Sequence, residues 1–324
     1  MQIIHGTRNL KTPFSASVLT IGNFDGVHLG HQELLKRVHE RAQKQHIPSV
    51  VMTFEPHPIK VLYPDRGLKR VFDLEDLYES IARAGIDYLV IEPFSREFSQ
   101  LPPERYLVEW IYQPFMPQLV IVGYDFSFGA NRGGSIEFLK EQAKHLNFAV
   151  EVVPPVKTGE ILVSSTRIRQ AVEQGDVKLA AELLGRRFYV SGIVERGAGR
   201  GRTIGIPTAN IRSAAETVPA RGVYAAIATV HGTRYAAAVN IGLNPTFTDG
   251  QVMPQSIEAH LLNVPVDEFN IYGEAIRIEF IDRLRDEKKF SSVQELVTQI
   301  KVDIMSAEKI AGKLVRGADD NAMG

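Results

Sequence analysis

The sequence predicts two domains, an α/β domain with a parallel sheet followed by an all-β domain with a six-stranded antiparallel barrel and a closing helix. In the first half, short runs rich in Val and Ile alternate with longer segments of helical periodicity. Such alternation favours a parallel sheet with crossover helices. In the second half, strand-like segments succeed one another with turns and little helix between them, which is typical of a small antiparallel barrel.

Five apolar segments of the first half are predicted strands: SVLTIG, SVVMTF, YLVIEP, LVIVGYD and FAVEVVP. The segments between them repeat apolar residues at helical spacing, as in Leu34, Leu35, Val38 and Ala42. The dipeptide Pro102-Pro103 is a start signal for another helix. Two short helices, Thr166 to Gln174 and Val177 to Leu184, are each followed by a glycine.

The second domain is expected to begin after Gly185, where the pattern changes. Its predicted strands are FYVSGIVE, PTANI, GVYAAIATV, RYAAAVNIG, SIEAHLL and EAIRIEFI. One amphipathic helix is expected to close the barrel, with one apolar face formed by Val293, Leu296, Val297, Ile300 and Ile304. We therefore expect domains at residues 1–185 and 186–316, and a disordered tail at residues 317–324.

The overall composition excludes several classes of protein. A chain of 324 residues, 44% hydrophobic and 23% charged, is long enough for two cores and too apolar for a disordered protein. The formal net charge of -1 gives no general attraction to nucleic acid. The absence of cysteine excludes disulfides and thiolate nucleophiles. Without a signal peptide or a membrane-length apolar run, the sequence predicts a cytoplasmic protein.

A segment rich in glycine and arginine, ERGAGRGRTIGIPTAN, lies at residues 195–210. Its glycines let backbone N–H groups approach an anion, and its arginines supply positive charge. The pattern fits a loop that binds nucleotide phosphates, and it equally fits an RG-rich segment that binds nucleic acid. The loop by itself leaves both interpretations open.

The motif GNFDGVHLGH, at residues 22–31, follows a predicted strand and leads into a helix. This position is the carboxyl edge of a parallel sheet, where such folds bind ligands. The first-turn N–H groups offer an anion site, and His28 and His31 can face one side of the first helical turn. From the pattern alone, the alternatives are a turn with two surface histidines and a metal site.

The motif resembles the signature of nucleotidylyltransferases of the HIGH type, and SSTRIR at residues 164–169 resembles a second motif of that family. These enzymes join a nucleoside triphosphate to a phosphate-bearing substrate and release pyrophosphate. The resemblance implies a Rossmann-like domain in which His28 and His31 are catalytic and hold the triphosphate near its α-phosphate. It also implies further ATP contacts, from Gly22, Phe24, Asp25, Gly30, Ser164, Ser165, Thr166 and Arg167.

Two further segments, TFEPHP and VGYDFSFGANRGG, resemble the flavin adenylyltransferase branch of that family. The resemblance implies that Pro56, Pro58 and Phe128 contact the flavin and that Asp125 contacts the nucleotide. The alternatives are structural, because an Asp at a strand end often caps its own loop and aromatic residues there often belong to the core. For His57, between two prolines, we expect a structural role.

GRTIGIPTAN, at residues 201–210, resembles the riboflavin kinase signature, and later stretches resemble the same domain in the same order. Thr208 and Asn210 are two residues apart on a predicted strand, so their oxygens face one side and can bind one Mg²⁺. Glu258, in SIEAHLL, matches the family's position for a catalytic base. From strand alternation alone, Glu258 would instead be an outward-facing carboxylate.

The same resemblance implies that the glycine-rich segment contacts ATP through Gly199, Gly201, Arg202, Thr208 and Asn210. Arg285 is a predicted flavin contact, with a solvated charge run as the alternative. Asn263 departs from the family pattern, which has an acidic residue at this position, so its role stays open.

The motifs cover almost the whole chain and resemble those of bacterial bifunctional riboflavin kinase/FAD synthetases. The FAD synthetase activity of these enzymes is that of an FMN adenylyltransferase. The resemblance implies riboflavin, FMN and ATP as partners, Mg²⁺ as the cofactor, and no nucleic acid or membrane. One alternative is a nucleotidylyltransferase for another phosphorylated substrate, with the barrel as an accessory. A second alternative is a regulatory protein that binds nucleic acid through the barrel and RGAGRGR.

Overall fold

A computed structural model describes residues 1–197, 205–243, 255–264 and 271–315 of the chain. The chain forms two compact units, Met1–Ser165 and Thr166–Gly324. The two short helices before Gly185 thus count with the second unit, whereas the sequence places them in the first domain. The boundary at residue 185 stays a prediction, and residues 317–324 lie outside the described part of the chain.

The first unit is built on a six-stranded parallel sheet. Its strands are β1 Gln2–His5, β2 Ser17–Ile21, β3 Ser49–Glu55, β4 Tyr88–Pro93, β5 Pro117–Gly123 and β6 Ala149–Val153. They lie in the order β1-β4-β3-β2-β5-β6, and each neighbouring pair is parallel. From β2 the chain continues on one side with β3 and β4 and then crosses to the other side with β5 and β6, so the strand order reverses between the paired strands β2 and β5. A small antiparallel hairpin follows, with β7 Lys157–Thr158 and β8 Ile161–Leu162.

Helices cover both faces of this sheet. They are α1 Leu29–Gln45, α2 Pro58–Leu62, α3 Leu74–Arg83, α4 Arg96–Ser99, α5 Pro103–Tyr106, α6 Gln113–Phe115 and α7 Ile136–Leu146, with a π-helical segment, Leu107–Tyr112, between α5 and α6. Because neighbouring strand residues point to opposite faces, Val18 packs with α1 and α3 while Leu19 packs with the segment from α5 to α7. The predicted α/β architecture is thereby confirmed.

Polar caps determine where the longer helices begin. The Asp73 carboxylate accepts the Asp76 N–H at 2.9 Å, and the Ser135 hydroxyl accepts the Phe138 N–H at 3.2 Å. Each bond satisfies an N–H group that has no partner within its helix. Asn147, in the left-handed conformation with φ 58°, ends α7 and directs the chain into β6.

A buried carboxylate fastens the N-terminal segment to the sheet. Glu92 of β4 is 6% exposed, and its Oε2 accepts the N–H and the hydroxyl of Thr7, each at 2.6 Å. Its Oε1 accepts the indole N–H of Trp110 at 3.1 Å. Three donors from two distant segments therefore converge on one carboxylate, which offsets the cost of burying its charge.

The second unit contains a closed barrel of six antiparallel strands, as the sequence predicts. The strands are β9 Tyr189–Glu195, β10 Ala209–Arg212, β11 Gly222–Val230, β12 Thr233–Leu243, β13 Gln255–Leu261 and β14 Ala275–Arg285. Around the barrel they lie in the order β10-β13-β12-β11-β14-β9. The helices are α8 Ser165–Gln174, α9 Val177–Leu184 and α10 Val293–Ala307, which continues as a π-helical turn, Glu308–Gly312.

Helix α10 closes the barrel, and four of the five residues of its predicted apolar face are half-buried: Leu296, Val297, Ile300 and Ile304. Val293, the first residue of the helix, is 66% exposed, so the prediction was wrong for this residue. The helix also buries Asp303 and Ala307, and Asp303 forms an ion pair with Arg285 of β14, with Arg285 Nη2 2.7 Å from Asp303 Oδ2. Apolar periodicity gives no signal for this ion pair.

We expect Glu92→Gln to lower the free energy of unfolding of the first unit by about 2–3 kcal/mol, because an amide NH₂ would face the donors that the carboxylate accepts. Trp110 is the only tryptophan of the chain, so its fluorescence during urea unfolding reports on this unit. Glu104→Gln, at an exposed position of α5, is the matched control and should change stability by less than about 0.5 kcal/mol. Equal unfolding midpoints for the two variants would contradict this role of Glu92.

Candidate active sites

The first site lies at the carboxyl ends of β2 and β5, two neighbouring strands of the parallel sheet. The motif at residues 22–31 follows β2, and Asp125 lies just beyond β5, the strand beside it. In open α/β sheets, a crevice forms where the strand order reverses, and ligands bind there. The topology thus places two of the motifs that the sequence singles out at one crevice.

The two motif histidines form a stacked pair at the start of α1. His28 is the N-cap residue, and its Nδ1 accepts the backbone N–H of His31 at 3.3 Å. The two rings are nearly parallel, with centroids 3.7 Å apart. Because Nδ1 of His28 is an acceptor, the proton of its neutral imidazole lies on Nε2. A Cβ at Gly30 would lie 3.2 Å from Cε1 of His28, so glycine allows the ring to pack this close to the helix.

Burial keeps the second histidine neutral. The pKa of His31 lies well below its usual value, mainly because burial desolvates the ring and also because of the charge of His28. Its Nδ1 is buried and has no hydrogen-bond partner within the part of the chain that the structure describes. At neutral pH, His31 therefore carries no positive charge, and the proton of neutral His28 lies on Nε2.

Asp25 fixes the segment between β2 and α1 by hydrogen bonding. Asp25 is 8% exposed, and its Oδ1 accepts the N–H of Val71 at 2.9 Å. Phe24 is 1% exposed in the left-handed region at φ 50°, and a Cβ at Gly22 would lie 3.2 Å from its ring. The structure thus places the side chains of Phe24 and Asp25 beneath the segment, where they fix its path. Their predicted contacts with ATP stay predictions.

One hydrogen bond joins the two nucleotidylyltransferase motifs. The Ser165 hydroxyl donates to the backbone carbonyl of Asp25 at 2.8 Å, although 140 residues separate them. Ser164 is half-buried beside it, and Ser165 begins α8. Thr166 and Arg167 are exposed and count with the second unit. The bond brings the start of SSTRIR to the segment that carries the histidines, as a shared ATP site requires.

The predicted flavin contacts occupy different environments. Pro56 is exposed, and Pro58 is the first residue of α2, whose N-cap His57 accepts the N–H of Ile59. The expected structural role of His57 agrees with this cap. Asp125 is exposed at the crevice, whereas Phe128 is 8% exposed and belongs to the core.

An aromatic cluster lies at this edge, and Phe128 is the member for which the sequence predicts a flavin contact. Its rings contact one another in a chain, with neighbouring centroids 5.3–6.1 Å apart, and its members are Phe54, Phe94, Phe98, Tyr106, Trp110, Phe126 and Phe128. Four of them, Phe54, Phe94, Phe98 and Phe126, are half-buried. Burial and the charge of Glu92 raise the pKa of Tyr106. The residues come from four separate segments, so no local pattern identifies the cluster.

The second site is a row of side chains on the outer surface of the barrel. Asn210 of β10 pairs with Glu258 of β13, and Glu258 pairs on its other side with Asn240 of β12. All three are half-buried, while strand neighbours such as Ile257 and Ala259 fill the barrel interior. Residues paired in this way have Cβ atoms about 4.5–5.5 Å apart. The register thus places the predicted base beside a predicted metal ligand.

Thr208 lies beside this row, just before the first residue of β10. It is half-buried, two residues before Asn210, and follows Pro207. His260 donates from Nδ1 to the carbonyl of Pro207 at 2.8 Å, and burial lowers the pKa of His260 although this bond opposes the shift. A neutral histidine on β13 therefore fixes the PTAN segment against the strand that carries Glu258.

Arg285 lies farther along the same row. Val223 of β11 pairs with Asn240 on one side and with Arg285 on the other. The Arg285 guanidinium binds Asp303 with Nε 3.0 Å and Nη2 2.7 Å from the carboxylate. Much of its hydrogen-bonding capacity therefore serves to anchor α10. Its predicted flavin contact stays a prediction.

The structure describes both ends of the glycine-rich segment, residues 195–197 and 205–210. Gly199, Gly201 and Arg202 lie outside the described residues, so their predicted ATP contacts stay predictions. Gly197 is described, and a Cβ there would overlap the side-chain amide of Asn210. The absence of a side chain at Gly197 thus allows the backbone at this residue to lie close to the Asn210 amide.

A cavity of about 390 Å³ lies beside His260, between the end of β13 and the end of α10. Its lining combines apolar side chains with an amide, a carboxylate and an ammonium group, from Leu262, Ile304, Met305, Asn263, Glu308 and Lys309. Asn263 adopts φ 63° and lies 3.5 Å from Glu308 through its side-chain nitrogen. A left-handed turn residue at this position gives Asn263 a structural role.

Two family models match the chain, one in each half, in the same order as the motifs. Residues 11–167 match the family model described as FAD synthetase, and residues 184–311 match the one described as riboflavin kinase. Together the two matches cover most of the described residues of both units. They favour the flavin interpretation over a nucleotidylyltransferase for another substrate and over a nucleic-acid-binding protein.

Full-length relatives carry both regions. The bifunctional riboflavin kinase/FMN adenylyltransferase of Escherichia coli K12 is 35% identical over 314 residues, which are 96% of this chain and 98% of that protein. The protein of the same name from Bacillus subtilis is 36% identical over 311 residues, 95% of this chain and 96% of that protein.

A solved structure shares the whole architecture. It is a Streptococcus pneumoniae protein described as a macrolide-efflux protein, 34% identical, with a TM-score of 0.86 over 95% of this chain and 99% of its own. That description belongs to the pneumococcal protein. In the present chain, none of the described helices is long and apolar enough to cross a membrane.

Riboflavin kinase and FMN adenylyltransferase regions thus occur in one chain, in the same order and over nearly the same length as in its relatives. The family's two activities are the ATP-dependent phosphorylation of riboflavin to FMN and the adenylylation of FMN to FAD. The chain belongs to the family of bifunctional riboflavin kinase/FMN adenylyltransferases.

Proposed function

We propose that Glu258 is the base of the riboflavin kinase reaction and that His28 and His31 bind the reacting phosphates of the adenylyltransferase reaction. The observation that carries the first assignment is the strand register that pairs Glu258 with Asn210. The second assignment is supported by the stacked histidine pair at a helix start and by the bond that joins its segment to Ser165. In this scheme both reactions consume ATP, and the FMN made by the barrel unit is the substrate of the other unit.

In the kinase reaction, the carboxylate of Glu258 accepts the proton of the primary hydroxyl of riboflavin. The hydroxyl oxygen forms a bond to the γ-phosphorus of ATP, the bond from that phosphorus to the β,γ-bridging oxygen breaks, and ADP leaves. Glu258 is half-buried on the outer face of the barrel, where a substrate can reach it. A positioned carboxylate of this kind contributes about 10²–10⁴-fold to the rate.

Thr208 and Asn210 fit a magnesium site. A hydroxyl oxygen and an amide oxygen from one face suit Mg²⁺, which binds few protein ligands and takes the rest from phosphates and water. When bound, Mg²⁺ would neutralise charge on the transferred phosphate. The two side chains would orient the phosphates toward Glu258, which pairs with Asn210 across the strands.

In the adenylyltransferase reaction, a phosphate oxygen of FMN forms a bond to the α-phosphorus of ATP. The bond from the α-phosphorus to the α,β-bridging oxygen breaks, and pyrophosphate leaves. His28 carries its proton on Nε2 when neutral, so it donates a hydrogen bond to the phosphate on which charge develops. Ser164 and Ser165 start a helix whose N–H groups suit the outer phosphates.

The aromatic cluster is the surface that fits the flavin ring of FMN. Its half-buried rings combine with Pro56 and Pro58 at the carboxyl edge of β3, on the strand next to β2. Large flat side chains bind a flat ring through dispersion and burial of apolar surface. Phe128 lies beneath these rings, 5.5 Å from Phe126 and 5.3 Å from Tyr106, so it supports the surface.

Product analysis tests this function directly. The purified protein, incubated with riboflavin, ATP and Mg²⁺, should form FMN and then FAD, and with FMN in place of riboflavin it should form FAD and pyrophosphate. Chromatography separates the three flavins. A folded sample that forms neither product would refute the proposal, and FMN without FAD would refute the adenylyltransferase half. Location in the cytoplasm stays a prediction.

Glu258→Ala should reduce FMN formation by at least about 10²-fold, because the acceptor hydroxyl loses its base. Formation of FAD from added FMN should remain within about twofold of the wild-type rate, since that reaction belongs to the other unit. Glu279→Ala is the matched control, as it removes another carboxylate from the barrel, one that lies 3.7 Å from Arg234. Equal loss of both activities in Glu258→Ala would contradict the assignment.

The double variant His28→Ala, His31→Ala should show the reverse pattern, with FAD formation reduced by at least about 10²-fold and FMN formation retained. Both imidazoles that would stabilise charge at the α-phosphate are then absent. His145→Ala, at an exposed position of α7, is the control and should leave both rates unchanged. An unaltered FAD rate in the double variant would exclude the pair from the mechanism.

The lowered pKa of His31 predicts that the first unit loses stability as the pH falls below about 6.5. There the unfolded chain binds a proton that folded His31 does not, at up to about 1.4 kcal/mol per pH unit. His31→Asn should therefore lose less stability between pH 7.0 and 5.5 than the wild type, as urea unfolding followed by Trp110 fluorescence can measure. His145→Asn should behave as the wild type. Parallel curves for His31→Asn and the wild type would contradict a neutral buried His31.

A further inference from the structure

We propose that Asn240 binds the ribityl chain of riboflavin, on the side of Glu258 opposite the nucleotide. This inference rests on the proposed kinase function and assigns the acceptor side of that site. None of the motifs identified in the sequence gives Asn240 a role.

The first argument is the order of side chains along the row. Glu258 pairs with Asn210 on β10 and with Asn240 on β12, so it lies between the two amides. Strand spacing separates Asn210 from Asn240 by about 9–10 Å, since neighbouring strands lie about 4.7–4.9 Å apart. The row therefore has two distinct sides, and Glu258 is its centre.

The second argument is the geometry of phosphoryl transfer. The attacking and leaving oxygens lie roughly in line on opposite sides of the transferred phosphorus. If Thr208 and Asn210 hold the phosphates on one side of Glu258, the acceptor hydroxyl lies at Glu258 itself. The remainder of the acceptor molecule must then extend away from the nucleotide, and Asn240 is the next side chain in that direction.

The third argument is a group of polar atoms around Gly242. A Cβ built at Gly242 would lie 3.2 Å from Ser256 Oγ, 3.3 Å from Asn240 Nδ2 and 3.3 Å from Glu287 Oε1. Three polar groups from three segments thus converge around a position that has no side chain. Glu287 is exposed, with its other oxygen 3.8 Å from Arg221.

This group has the chemistry of a polyol site. Each hydroxyl of a ribityl chain both donates and accepts hydrogen bonds. The Asn240 amide offers a donor and an acceptor, and the Glu287 carboxylate accepts. A flavin ring has no comparable series of hydroxyls. The polar group therefore matches the ribityl chain, whose terminal hydroxyl must reach Glu258.

Steady-state kinetics of the full-length protein test the inference. Asn240→Ala should raise the KM for riboflavin roughly tenfold, as expected for one or two lost hydrogen bonds, and should leave the KM for ATP within about twofold. Lumiflavin, which has the flavin ring but no ribityl chain, serves as a competitive probe, and its inhibition constant should not change. Thr233→Ala, at the exposed start of β12, is the control for the strand.

A second variant guards against a general effect on folding. Gly242→Ala keeps Asn240 but places a methyl group among the three polar atoms, so it should also raise the KM for riboflavin and not that for ATP. FAD formation from FMN by the same samples shows whether the rest of the protein is intact. An unchanged riboflavin KM in both variants would overturn the inference, as would parallel weakening of riboflavin and lumiflavin. A wild-type protein that forms no FMN would instead overturn the kinase function on which the inference rests.

Discussion

The kinase site depends on the pairing of one strand, β13, with two different neighbours. Antiparallel pairing with β10 and β12 places Asn210, Glu258 and Asn240 side by side on the outer face. A shift of one residue in either pairing would turn the partner's side chains into the barrel interior, where Ala259 and Val239 now pack. The hydrophobic filling of the barrel therefore also fixes the polar row, because both follow from the same alternation.

The first unit positions its candidate site in a different way. The candidate residues lie in segments that follow the parallel strands β2 and β5, and not on the strands themselves. Such segments need separate supports, which the buried Asp25 provides through its carboxylate and its backbone carbonyl. The histidine pair rests on this support and on the start of α1. The barrel positions its site by register, and the sheet positions its site by anchored connections.

The alternation of strand and helix patterns predicts the parallel sheet, and the succession of strands predicts the barrel. The sequence misses β1, β7 and β8, because segments of two to four residues are too short to show a period. Local motifs predict roles for Glu258, Asn210 and the histidines. No local motif could single out Asn240, because cross-strand pairing joins residues far apart in the chain. Most of the aromatic cluster was missed for the same reason, as was the Arg285–Asp303 pair that helps to hold α10. Val293 fits the helical period but is the first residue of α10, where it is exposed.

The hydrogen bond from Ser165 to Asp25 has a consequence for how the chain can be divided. Ser165 is the last residue of the first unit, and the helix that it begins continues into the second. A gene fragment that ends before this residue would lack the hydroxyl that meets the carbonyl of Asp25. A separate adenylyltransferase polypeptide must therefore extend at least to Ser165 to keep this hydrogen bond. The same limit applies whether the separation arises by gene fission or by engineering.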